Sequence, residues 1–164
     1  MTKEVNMTDL LKIIKGRKSV RTFDGRNVSA EDRERLLKYI QSVANPFRIN
    51  VSFVLLDAKE NGLSSPVIAG ENLYLAGKVD RLPNAEAAYG YSFEKVVLFA
   101  WSMGIGTTWI GGTMKRELFE RAADLKENEM MPCVTPLGYP ASKRSLKETL
   151  MRKGVGADSR LSAD

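Results

Sequence analysis

A short basic stretch near the N-terminus carries the side chains best suited to chemistry. Arg17, Ser19 and Arg21 alternate with other residues between Lys15 and Phe23. Because side chains two apart project to the same side of an extended backbone, we expect two guanidinium groups and a hydroxyl to line one edge. Arginine donates two parallel hydrogen bonds to phosphate oxygens, and a hydroxyl can add one more. The pattern indicates a phosphate site, although a solvated basic loop between two helices would show the same residues.

A pair of glycines later in the chain, Gly111 and Gly112, is the second candidate. The pair follows a predicted strand over 107–110 and precedes a predicted helix over 114–122 with Thr113 as its N-cap. Glycine allows the backbone to approach a ligand closely, and a helix N-terminus favours a negative or polar acceptor. A simple tight turn accounts for the same residues equally well, so both interpretations stay open.

The composition excludes several common kinds of active site. The sequence contains no histidine and a single cysteine, Cys133. Without histidine there is no Ser-His or Cys-His nucleophile, and one cysteine excludes an internal disulfide or a cysteine-clustered zinc site. Gly104 and Gly106 also fail as a dinucleotide fingerprint, because Trp109 stands at the third position and the pair follows a helix where a strand is required.

Length and charge indicate a globular domain with anionic partners. The 164 residues suit one domain over 1–164, and a net charge of +5 with a pI near 9.3 favours anions. No apolar run reaches the roughly 20 residues that span a bilayer, and the N-terminus lacks a signal core, so we expect a cytoplasmic protein that binds no membrane. The basic residues lack interleaved aromatics, which argues against a nucleic-acid-binding domain.

The apolar periodicity predicts the elements that would position these residues. Helices are expected over 9–15, 30–43, 84–103, 114–122 and 145–153, and strands over 50–56, 72–76, 107–110 and 131–138. The run over 72–76 is short enough to be a helix fragment instead. The helix over 84–103 is the longest, and it is apolar nearly all round from Val96 to Trp101, so it should be central.

Several of these segments resemble the flavin-dependent nitroreductase family when they are taken together. They are the basic motif over 17–24, the segment over 104–112 after the long helix, and Leu137-Gly-Tyr-Pro140. Asn45-Pro-Phe47 is similar to a reduced form of the segment that places an asparagine beside the flavin. The resemblance covers nearly the whole chain, and within the family it is nearest to a less-studied subgroup from anaerobes, including thermophiles.

The resemblance implies an α+β sandwich in which helices flank a mostly antiparallel sheet. It places the long central helix at the interface of a homodimer and one FMN between the subunits. It also implies a phosphate and ribityl site in the basic motif, an asparagine near the ring, and backbone amides near N5 and O4. The cofactor-binding residues carried over in this way are Arg17, Lys18, Ser19, Arg21, Asn45, Gly111, Gly112 and Arg160.

The activity that the resemblance implies is electron transfer in two half-reactions. NADH or NADPH would give a hydride to FMN, and a nitroaromatic, a quinone or a similar small molecule would then accept the electrons. No catalytic side chain and no metal are implied, because the flavin itself carries the electrons. That agrees with the absence of histidine.

The C-terminus departs from the family pattern at two points. Asp158 stands where the family has a lysine, two residues before Arg160, and the chain ends four residues after Arg160. Family members commonly continue into a segment that wraps the partner subunit, so the chain is expected to be a truncated product. The alternative hypothesis is a degenerate member that keeps the fold, binds little or no flavin and acts as a ligand-binding or regulatory module.

Overall fold

The computed structural model describes residues 7–156 and 159. The helices are α1 (Met7–Gly16), α2 (Ala30–Gln41), α3 (Ala85–Ser102), α4 (Arg116–Ala122) and α5 (Leu146–Gly154). The strands are β1 (Val51–Asp57), β2 (Leu73–Asp80), β3 (Glu129–Met130) and β4 (Val134–Leu137). Within these described residues, none of the helices has the length and apolar character needed to cross a membrane.

Strand β2 is the centre of an antiparallel sheet. Strand β1 pairs along one of its edges, from Val51 opposite Val79. Strands β4 and β3 pair one after the other with β2, and since β1 occupies one edge they lie along the other. The prediction of an α+β fold with a mostly antiparallel sheet is therefore confirmed.

The side chains of β2 alternate between two apolar layers, which explains why the strand reads as a continuous apolar run. Leu73 and Leu75 pack in a core with α2 and α3, whereas Tyr74 packs in a second core on the other face. Phe119 of α4 meets the Tyr74 ring edge to face there, at 4.9 Å between centroids. A strand buried on both faces lacks polar alternation, so the sequence alone could not distinguish this strand from a helix fragment.

Helix α3 is central, as its composition predicted. One face is buried against the sheet through eight residues: Ala85, Ala88, Tyr89, Ser92, Phe93, Val96, Val97 and Ala100. Its opposite face forms, with α1 and α2, an apolar groove of about 360 Å³, here called the α1–α3 groove. The groove is lined by Leu10, Ile13, Ile14, Tyr39, Tyr91, Glu94, Lys95, Leu98, Phe99 and Ser102.

The predicted strand over 107–110 is wrong. Ile110 and Val134 form an isolated antiparallel bridge, with mutual N–H to O distances of 2.8 and 2.9 Å. Pro136, two residues along, has no N–H with which to continue the ladder. The Thr108 N–H donates instead to the Thr135 hydroxyl at 2.9 Å. Proline therefore reduces the segment to separate bridges.

The predicted start of the helix over 114–122 is also wrong. Helix α4 begins at Arg116, and its N-cap is Lys115, without a side-chain capping bond. Thr113 is held elsewhere, because the Ser65 hydroxyl donates to its carbonyl oxygen at 3.1 Å. The glycine pair is thus separated from α4 by three residues, 113–115, and the seven-residue helix gives it no N-terminus to use.

Candidate functional site

The basic motif runs as an extended segment between two other parts of the chain. The Val20 N–H donates to the Thr107 carbonyl at 2.8 Å, and the Ala69 N–H donates to the Arg21 carbonyl at 3.0 Å. A Cβ atom at Gly106 would lie 2.7 Å from the Val20 Cβ, so only glycine allows this approach. The expected extended backbone is confirmed.

Ser19 and Arg21 do not line one cavity, contrary to the expectation that they share an edge with Arg17. Ser19 and Lys18 line a cavity of about 110 Å³, whereas Arg21 lines another of about 210 Å³, here called the cleft. The reason is that Val20 and Phe23 are both buried in the same apolar core. In a regular strand, Val20 and Phe23 would face opposite sides, so the alternation of side chains is broken between them.

The cleft brings together two segments that the sequence singled out separately. Arg21, Gly111 and Gly112 line it together. Both glycines are exposed, and within the described chain neither N–H donates a hydrogen bond. A Cβ atom added to Gly112 would have no neighbour within 4 Å. Two residues whose amides are unpaired in the described chain thus line the same small cavity as Arg21.

The guanidinium group of Arg17 contains two nitrogens whose hydrogen-bonding capacity the described fold does not satisfy. Its Nε and one terminal nitrogen are buried and have no hydrogen-bond partner among residues 7–156. Burial lowers the pKa of neighbouring Arg21, as do the charges of Arg152 and Arg17, while Glu148 opposes them. A buried polar group without a partner is costly, and clustered cations repel one another. An anion placed among these arginines would relieve both.

A buried carboxylate fixes α5 beside the arginines. Glu148 is 4% exposed, and its Oε2 accepts a hydrogen bond from the Thr22 hydroxyl at 2.7 Å. The Ser145 N–H donates to the same Thr22 oxygen at 3.0 Å, and the Ser145 hydroxyl accepts from the Glu148 N–H at 3.1 Å. The Ser145 hydroxyl therefore caps α5, but the Glu148 side chain bonds Thr22 and not the Ser145 N–H, so Thr22 takes the place of the reciprocal bond of a capping box and joins the cap to the basic motif.

The structure does not bring Asn45 to the cleft. Its amide nitrogen donates to the Ile49 carbonyl at 2.7 Å and to the Ser92 hydroxyl at 3.1 Å. Its amide oxygen accepts from the Phe47 N–H at 3.1 Å. The side chain holds the turn before β1 against α3 and lines neither of the two cavities. Asp158 and Arg160 lie outside the described residues.

Three neighbours of the site were missed or given another role in the sequence analysis. Met151 and Trp109 line the cleft, and Arg152 lines the smaller cavity. The indole N–H of Trp109 donates to Glu94 at 3.0 Å, which keeps the ring at the rim of the cleft. The basic helix predicted over 145–153 was the available signal for Arg152, but nothing in its sequence shows what it packs against.

These groups can bind an anion but offer little for acid–base or metal chemistry. Arg21 and the two glycines with unpaired amides line the cleft, and in the described part of the chain no group of Cys, Asp and Glu side chains could hold a metal ion. The Cys133 thiol is buried, and desolvation raises its pKa to about 11. A site of this kind suits a bound phosphorylated molecule that carries its own reactivity.

Comparison with protein families gives a match over nearly the same range as the structure. The family model described as "Putative TM nitroreductase" matches residues 9–160. A protein of Archaeoglobus fulgidus, described as "Putative NADH dehydrogenase/NAD(P)H nitroreductase", is 27% identical, with 87% of this chain and 91% of that protein covered.

Solved structures share the fold. A protein of Bacteroides thetaiotaomicron, described in the same words as the archaeal one, has a TM-score of 0.66 at 24% identity, with 83% of this chain and 89% of that one covered. A structure described as an FMN-dependent nitroreductase of Clostridium difficile has a TM-score of 0.68 at 15% identity, with 82% and 90% covered. Identities this low show a common architecture alone.

Proposed function

This chain belongs to the nitroreductase family, and we propose that it is an FMN-dependent oxidoreductase that takes electrons from NADH or NADPH. The acceptor class proposed is a nitroaromatic, a quinone or a similar small molecule. The names of the archaeal relative and of the Clostridium difficile structure support the donor and the cofactor. The cytoplasm is the proposed compartment, because a single cysteine suits reducing conditions.

The unsatisfied guanidinium of Arg17 is the observation that carries this proposal. Its buried Nε and terminal nitrogen need an acceptor that the described chain does not provide. A phosphate group offers several strong acceptor oxygens and the opposite charge. Arg17 and Arg21 would hold the FMN phosphate, and Lys18 and Ser19 would bind from the adjoining cavity. The residues present therefore fit a phosphorylated cofactor.

The glycine pair is proposed to meet the other end of the cofactor. The free N–H groups of Gly111 and Gly112 would donate to the polar edge of the flavin ring, and the missing Cβ of Gly112 leaves room for it. FMN, when bound, accepts a hydride and passes electrons on, which the side chains here cannot do. The protein's part is to bind, to orient and to place donors where negative charge increases.

A homodimer is proposed because one subunit leaves both the cleft and an apolar surface incomplete. The cleft holds about 210 Å³, below the 300–1,000 Å³ typical of sites that bury a ligand. The α1–α3 groove is mostly apolar, and Ile14 and Tyr91 within it are 49% and 48% exposed. A second subunit on this groove would cover those side chains and could close the cleft.

An absorption spectrum after reconstitution tests the proposal. The purified protein is incubated with FMN, freed of excess cofactor, and titrated with NADH and NADPH under anaerobic conditions. Flavin absorption bands that stay with the protein and bleach with either nucleotide are the expected result. A protein that retains no FMN would contradict the proposal and leave the alternative, a family member that uses its fold as a ligand-binding or regulatory module.

A further inference from the structure

Arg116, at the start of α4, binds backbone carbonyls of two separate segments, one of which lines the cleft. Its Nη2 donates to the Gly111 carbonyl at 3.1 Å and to the Pro132 carbonyl at 3.3 Å. Its Nη1 donates to the Met131 carbonyl at 2.7 Å and lies 3.6 Å from Glu120. One guanidinium fork thus joins the glycine pair to the chain segment that leads into β4.

The contact with Gly111 fixes the direction of the Gly112 amide. The carbonyl of Gly111 and the N–H of Gly112 belong to one planar trans peptide unit, so the two groups point in opposite directions. Because the carbonyl points at Arg116, the N–H points away from Arg116.

The preceding peptide unit is fixed in the same way. The Ile110 carbonyl accepts from the Val134 N–H at 2.9 Å, so the N–H of Gly111 points away from β4. Arg116 and Val134 therefore hold the two carbonyls on the protein side, and both N–H groups are left free. Both glycines line the cleft, and within the described chain their N–H groups are unpaired.

The charge of Arg116 should also strengthen the donor. A cation bound to a carbonyl oxygen polarises the whole peptide group, which makes the N–H on its other side a better donor. Glycine has no side chain that could hold its own peptide groups in place, and its backbone can adopt more conformations than that of any other residue. An outside group must hold the pair if its amides are to meet a ligand in one orientation.

We propose that Arg116 is a positioning residue for the cofactor: it holds the Gly111 carbonyl so that the Gly112 N–H is directed at the flavin ring. The inference rests on the proposed function, since FMN is the ligand that the amide would meet. Arg116 itself lies on the far side of the peptide unit and does not touch the cofactor.

Two measurements on Arg116→Ala test this role. The first is the dissociation constant of FMN from flavin fluorescence, and the second is the amide signal of Gly112 in nitrogen-15 NMR spectra with and without FMN. We expect about tenfold weaker binding, the loss corresponding to roughly one hydrogen bond. We also expect the Gly112 signal to move in the FMN-free protein and to respond less to added FMN.

Two matched variants separate positioning from charge and from helix stability. Arg121→Ala removes the same charge from the same helix, and Glu120→Ala removes the ion pair but keeps the carbonyl contacts. Both should leave FMN affinity and the Gly112 signal unchanged. If Arg116→Ala fails to fold, Arg116→Lys carries the test, because a single ammonium group cannot replace the planar fork at all three carbonyls.

The outcomes distinguish this inference from the proposed function. If wild-type protein binds FMN and the Arg116 variants bind it equally well, or if their Gly112 signal does not move, the positioning role is overturned alone. If wild-type protein binds no FMN, the proposed function fails and the inference with it. Equal losses in the Arg121 control would also overturn it, since net charge would then explain the effect.

Discussion

At the scale of single residues, Arg17 should affect stability and binding in opposite directions. Its buried nitrogens lack partners, so Arg17→Met, which keeps length without donors, should raise the free energy of unfolding of the FMN-free protein by about 1 kcal/mol. The same change should weaken FMN binding tenfold or more, because a charge-assisted contact with phosphate is lost. Urea unfolding and flavin fluorescence titration measure the two effects.

Lys59→Met is the control for this prediction. Lys59 is exposed in the loop after β1 and lines neither cavity, and the change removes the same charge there. It should alter neither FMN binding nor stability by much. If Arg17→Met destabilised the FMN-free protein, the guanidinium would already make stabilising contacts in the absence of a bound anion.

Cys133 should make stability depend on pH in alkaline solution. Desolvation raises the pKa of its thiol from the ordinary 9.0 to about 11, although the Tyr89 hydroxyl acts in the opposite direction. Between these values the unfolded chain loses a proton that the folded protein keeps, so stability falls as pH rises, by about 3 kcal/mol in all. This contribution is fully present below pH 9.

The matching measurement compares wild type with Cys133→Ala at pH 8 and pH 11. Tyr89 is present in both proteins, and because burial is the largest cause of its raised pKa, ahead of Cys133, its own contribution is largely common to the two. The variant should lose less stability over this range. Equal losses in the two proteins would show that the thiol does not carry the effect.

The residues that can be predicted from sequence are those whose type and spacing already encode a chemistry. Arg17, Arg21 and the glycine pair were identified in this way, and the structure does place Arg21 with the glycines. Arg116 was not identified, because its role depends on three carbonyls brought together only by folding. The acceptors in these contacts are backbone carbonyls, which every residue has, so residue type alone does not identify them.

At the scale of elements, α5 should depend on one hydroxyl outside it. Thr22 lies 123 residues before Ser145, with which it shares a hydrogen bond, and it is also the donor to buried Glu148. Thr22→Val should cost about 2 kcal/mol, since the carboxylate loses its donor while buried. Hydrogen exchange should accelerate over 146–154 and stay slow in β2.

Thr149→Val makes the same substitution within α5 itself. The Thr149 hydroxyl donates to the Ser145 carbonyl inside the helix, so this change leaves the attachment to Thr22 intact. Exchange in α5 should then stay close to the wild-type rate. Unchanged exchange in Thr22→Val would mean that other contacts hold the helix in place.

Helices and strands could be predicted where their own apolar periodicity determines the structure. They could not be predicted where a contact with a distant segment determines it. Helix α3 follows from its apolar pattern, and the N-cap residue Ser145 marks the start of α5. The segment over 107–110 looks like a strand, but Pro136 opposite it interrupts the pairing. Likewise, Ser65 draws Thr113 away from capping α4. Both errors come from partners that are distant in sequence.

At the scale of the whole molecule, the α1–α3 groove and the rim of the cleft share helix α3. Helix α3 packs against the sheet on one side and presents the groove on the other, where the Tyr39 and Phe99 rings stack with centroids 3.9 Å apart. The same helix supplies Glu94, which holds Trp109 at the rim of the cleft. A subunit docked on the groove would therefore contact an element that also shapes the cleft.

Ile14→Glu should convert the proposed dimer to monomers. Ile14 is 49% exposed in the groove, and a carboxylate buried there without a partner would cost several kcal/mol, enough to dissociate a moderately stable dimer. Sedimentation velocity measures the change, with Leu82→Glu as the control, since Leu82 is 51% exposed but lies outside the groove.

If the cleft is completed by the second subunit, Ile14→Glu should also weaken FMN binding, in proportion to the monomer formed. A monomer that keeps full FMN affinity would mean that one subunit builds the whole site, and a variant that stays dimeric would place the interface elsewhere.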